Sequence, residues 1–146
     1  MRRILFYISF FSFALLACQR QESANRIQAS LDGKWRMIIV KDNISGAAVT
    51  KPAGIQGEVD ITFEIANSTS GFFKGNTPTN EIAPNNFYLG TNQSLQIPSL
   101  LMTKVMETTW GAEFVDNIRN AQEYSFDDNG ILYIKTMAKT LLFQRL

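Results

Sequence analysis

Residues 58–65 alternate without a break, with Val59, Ile61, Phe63 and Ile65 on one side and Glu58, Asp60, Thr62 and Glu64 on the other. A period of two puts successive side chains on opposite faces, so the segment predicts a strand with one buried and one wetted face. Residues 34–41 read as a second strand, with Trp35, Met37 and Ile39 facing one way. Ile38 and Val40 make its other face apolar too, which suits a strand in the middle of the fold. Further strands are expected at 70–75, 86–89, 95–97, 123–126, 131–136 and 140–146. Asn129-Gly130 tolerates the positive φ of a hairpin turn, and 137–139 closes the next one. The Gly- and Pro-containing stretch 42–57 reads as a long loop.

Between 105 and 120 the period changes, because Met106, Trp110, Phe114 and Ile118 recur every fourth residue. That spacing predicts one amphipathic helix. Gly111 inside it implies either a close backbone approach or a helix start nearby. From Leu31 onward the pattern predicts one mainly β (α+β) domain, residues 31–146. Its expected form is a small curled antiparallel sheet or barrel of about eight strands, with the helix packed across it.

Composition narrows the chemistry. The chain has no His and a single Cys, which removes Ser-His-Asp triads, Cys-His dyads, His-ligated metals and intrachain disulfides. Without Arg2 and Arg3, 12 basic residues face 13 acidic ones, a net charge of −1 that leaves no nucleic-acid footprint. Glu58, Asp60 and Glu64 share one strand face and read as solvated rather than as converging catalytic carboxylates. Asp127-Asp128-Asn129-Gly130 lacks the twelfth-position Glu of a calcium loop and reads as a turn. The large aromatics are expected to fill the core. In Phe72-Phe73 and Phe87-Tyr88, adjacent aromatics point to opposite faces, so one of each pair is expected outside, making these four the candidate partner surface. No cofactor and no enzymatic constellation is expected.

The N-terminus carries an address. Arg2 and Arg3 precede a run of about fourteen apolar residues, too short for the roughly 20 that a permanent span needs. The run ends in Leu15-Leu16-Ala17-Cys18, which resembles the bacterial lipoprotein box. The resemblance implies cleavage after residue 17 and acyl chains on Cys18, which would hold the protein on a bilayer. Gln19 in place of Asp favours the outer membrane of a bacterial envelope. Residues 19–30 carry one large aliphatic, Ile27, and read as a tether.

The domain itself resembles the META family, which includes HslJ-like heat-shock lipoproteins. The resemblance is carried by Leu31-Asp32-Gly33-Lys34-Trp35, Ile61-Thr62-Phe63, Ser70-Gly71-Phe72, Asn76, Thr103, Glu113-Phe114, Tyr124, Leu132-Tyr133-Ile134 and Leu141-Leu142-Phe143. Many members have a Cys where this chain has Gly75, and a second after Thr103; both are missing here. The resemblance implies a role in stress tolerance or envelope maintenance, without a mechanism. The expectation is therefore a non-enzymatic envelope lipoprotein that binds or scaffolds an envelope protein. The alternative is a binding module that takes a small apolar ligand or a peptide through the barrel mouth and the 42–57 loop.

Overall fold

The computed structural model describes residues 30–146. Nine strands share one antiparallel sheet: β1 (Gly33–Asp42), β2 (Ala48–Thr50), β3 (Asp60–Asn67), β4 (Ser70–Asn76), β5 (Glu81–Leu89), β6 (Leu95–Gln96), β7 (Glu123–Phe126), β8 (Leu132–Lys135) and β9 (Lys139–Arg145). The single helix among the described residues, α1 (Thr109–Ile118), lies between β6 and β7. The strand order β6-β5-β4-β3-β1-β9-β8-β7 is an up-and-down meander of eight strands, its first strand zipped to its last and its gap where the helix interrupts it. One rung spans that gap: Ser94 bridges to Glu123, and the Leu95 N–H donates to the Gln122 carbonyl at 2.9 Å. The expected eight-stranded curled sheet with one helix is thus the fold observed, a nearly closed barrel. The loop expected at 42–57 contains the short strand β2, paired to the far half of β1.

Alternation fills the barrel as expected, with exceptions at irregularities. Trp35, Met37, Val59, Ile61 and Phe63 are buried. A bulge between Met37 and Ile39 then turns Val40 inward instead of Ile39. Ile65, expected in the core, is 39% exposed at the end of β3, where another irregularity separates it from Asn67. Trp110, Phe114 and Ile118 bury the inner face of α1, while Met106 precedes the helix and is exposed. The helix starts near Gly111 as one of the two readings required, and Thr108 caps it by accepting from the Gly111 N–H. Among the described residues, the buried hydrophobic side chains from Leu31 to Phe143 form one continuous core.

The expected strand at 86–89 is longer, because Pro84 hides its first half. Pro84 sits where β4 and β5 slip register, a tolerated position for a residue without an N–H. On the other side of β5, Pro98 ends β6, yet Met102 pairs with Ile82 in the same register. The Asn85 side chain spans the break: its Oδ1 accepts from the Leu101 N–H at 2.6 Å, and its Nδ2 donates to the Leu101 carbonyl at 3.2 Å.

Candidate functional site

The four aromatics of the candidate surface separate as alternating neighbours must. Phe73 and Phe87 are fully buried beside Phe63, which stacks edge-on against Phe87 with centroids 5.3 Å apart. These two are corrected from partner surface to core, since their strand faces point into the barrel. Phe72 and Tyr88 are each 47% exposed on the outer wall. Phe72 lies opposite Glu64 and Asn86, and Tyr88 opposite Ser70, so the two rings sit diagonally across β4 and β5. Lys74 pairs with Glu64 at 2.6 Å on the same wall.

Glu58, just before β3, and the β3 carboxylates Asp60 and Glu64 are not one uniform wet face. Glu58 pairs with Lys51. Asp60 is 8% exposed and takes a two-pronged contact from Arg36, Nε to Oδ1 at 2.7 Å and Nη2 to Oδ2 at 2.8 Å. Asp60 and Arg36 are register partners on β3 and β1, which sets the guanidinium flat against the carboxylate. The pair raises the Arg36 pKa through its hydrogen bond to Asp60. At the predicted turn, Asp127 accepts from the Asn129 and Ile131 N–H groups, each at 2.9 Å, and Gly130 has φ 77°. Those backbone donors hold the Asp127 carboxyl below its usual range.

Sequence reasoning missed the most heavily bonded carboxylate. Glu107 Oε2 accepts from Thr77 Oγ1 at 2.5 Å and Asn80 Nδ2 at 2.8 Å; Oε1 accepts from Thr79 Oγ1 at 2.6 Å and the Thr108 N–H at 3.0 Å. Burial alone would push this carboxyl up, but the four donors outweigh it and hold its pKa below the ordinary value. Asn80 is itself buried, and its Oδ1 accepts from Thr103 Oγ1 and the Val105 N–H. The cluster clasps the β4–β5 turn, the crossover and the start of α1 together. A carboxylate so fully engaged is an anchor rather than a base. The available signals were the run Thr77-Pro78-Thr79-Asn80 and Gly111, whose added Cβ would overlap the Glu107 carboxylate.

An open hollow of about 390 Å³ lies on the outer wall of β1, β9 and β8, lined by Lys41, Asn43, Tyr133, Lys135, Thr140 and Leu142. Asn43 frames it, donating to the Thr136 carbonyl at 3.0 Å and accepting from Thr140 Oγ1 at 2.7 Å. The hollow borders the start of the 42–57 loop. Inside the barrel, Trp35, Trp110, Phe63, Phe73, Phe87, Phe114 and Phe143 pack together at no more than 1% exposure. Cys18 and the apolar run that precedes it, expected from the sequence to be a signal segment, lie outside the described residues. No family profile, curated protein or solved structure matches the chain.

Proposed function

We propose that the protein is a lipid-anchored, non-enzymatic envelope protein whose barrel domain acts through its outer surface, binding or scaffolding an envelope partner. The observation that carries the reading is the filled interior: with seven large aromatics packed inside, recognition is left to the outer wall and the loops. The Leu15-Leu16-Ala17-Cys18 string supports the anchor, and the resemblance to META and HslJ-like lipoproteins supports stress tolerance or envelope maintenance as the setting. An outer-membrane location follows from Gln19. The carboxylates of Glu58, Asp60, Glu64, Glu107 and Asp127 are each engaged by backbone, side-chain amide, hydroxyl or cationic partners, which suits a structural role for them.

The test is fractionation of cells expressing the full chain and Cys18→Ser, with the mass of residue 18 read after proteolysis. The expected result is an acylated residue 18 in the membrane fraction, with the variant released or uncleaved. An unmodified thiol in a cytosolic protein overturns the reading.

The second reading, a ligand-binding module, is favoured by the hollow beside the 42–57 loop rather than by the barrel mouth. Lys41 in its lining suits an anionic ligand, while the other lining lysine, Lys135, pairs with Glu123 at 3.3 Å. Native mass spectrometry of residues 19–146 with envelope extract separates the two: a discrete small added mass supports the module, an added protein mass the scaffold.

A further inference from the structure

We propose that the barrel rests on the bilayer through the outer wall of β3, β4 and β5, with Phe72 and Tyr88 seated at the headgroup boundary. The proposal rests on the lipid-anchored reading of Cys18. Three observations carry it.

The described chain begins at this end of the barrel. Asp32 Oδ1 accepts from the Ile65 N–H at 2.9 Å, and Arg145 Nη2 donates to the Asp32 carbonyl at 2.7 Å, so the backbone leaves the domain next to Ile65. Cys18 is twelve residues before Ser30. Twelve residues reach at most about 40 Å even when fully extended, so an anchor at Cys18 keeps this end of the domain close to the bilayer surface.

The apolar exposure there has the right chemistry. Phe72 and Tyr88 are each 47% exposed. Rings of this kind, Tyr with its hydroxyl above all, settle where hydrocarbon meets headgroup.

The charges of the wall are balanced. Lys74 pairs with Glu64 across from Phe72, Arg36 pairs with Asp60, and Lys34 lies opposite Thr62 on the same sheet. A neutral aromatic wall fits a zwitterionic bilayer and requires no anionic lipid. Other apolar residues are exposed as well: Leu101, Val105 and Met106, at 62%, 59% and 91%, lie on the crossover before α1, with Leu101 bound to Asn85 toward the other end of β5 from Tyr88, and Ile44 and Met137, at 93% and 83%, lie past the far end of β1. A ten-residue strand puts the last two roughly 30 Å away from the exit.

The lone thiol makes the test independent of acylation in the cell. Residues 18–146 are coupled through Cys18 to a maleimide lipid in phosphatidylcholine vesicles, with and without brominated phosphatidylcholine as a short-range quencher. Tyr88→Trp and Ile44→Trp report the two ends; native Trp35 and Trp110 are buried at 1% and give a constant background. The expected result is at least twofold quenching of the added emission of Tyr88→Trp and none for Ile44→Trp. Phe72→Trp provides the same readout should Tyr88→Trp misfold. Quenching at Ile44→Trp alone, or at neither end, overturns the proposal. An unmodified Cys18 in the cell would instead overturn the anchor and leave the vesicle result standing.

Discussion

Glu107 is where a single substitution says most about the clasp. In Glu107→Gln the amide nitrogen would face two of the four donors that now converge on the carboxylate, leaving polar groups opposed near the core. The expected cost is about 2 kcal/mol at pH 7, measured by urea unfolding. Because the native carboxyl is held below its ordinary value, its contribution is present above about pH 4.3 and is lost as pH falls through the lowered native pKa. The gap between wild type and variant should therefore narrow below pH 4; a gap unchanged down to pH 3 would show that the charge plays no part. The two tryptophans make a second residue-level comparison, since both are buried at 1%. Trp35 Nε1 donates to the Leu31 carbonyl at 2.8 Å, and Arg145 lies 5.2 Å from its ring centroid, whereas Trp110 Nε1 has no hydrogen-bond partner among the described residues. Trp35→Phe is thus expected to cost about 1 kcal/mol more than Trp110→Phe. Equal urea midpoints would count against that accounting.

At the scale of elements, the turn between β5 and β6 stores strain. Asn92 and Gln93 both adopt positive φ, 56° and 61°, and of the two only Asn is at ease there. Gln93→Gly should raise stability by about 1 kcal/mol, a rise of about 4 °C in Tm by calorimetry; a fall would mean that the Gln93 side chain holds the turn. Most elements were legible because period two and period four survive in β3, β4, β9 and α1. What was hidden was hidden by prolines and bulges: Pro84 masked half of β5, and the irregularity at Ile65 put an apolar residue at the rim. Met106 fitted the four-residue spacing of α1, but Glu107, locked to the Thr77–Asn80 turn, holds the chain out of helix until Thr108 caps it. The aromatic site was half legible, since alternation says that neighbouring rings diverge but not which of them turns outward.

For the whole molecule, the barrel has a strong closure and a weak one. β1 is paired along its length to β3 and β2 on one side and to β9 on the other, whereas β6 and β7 meet through one bridge. Native-state hydrogen exchange should show the amides near Leu95 and Glu123 exchanging through local opening, while those of β1 and β9 exchange only on global unfolding. Uniform protection around the barrel would contradict this. The clasp at Glu107 and the seam were invisible in the sequence because both join segments far apart in the chain, where no local period records the contact. The strong closure has a consequence for how the chain is made. Trp35 pairs with Arg145, so the first strand of the barrel waits for the last. Until residues 139–145 have left the ribosome, β1 keeps an unzipped edge, and such distant pairing is slow to form even then. A nascent chain built this way can pair its local hairpins early, but cannot close its barrel until residues 139–145 are available.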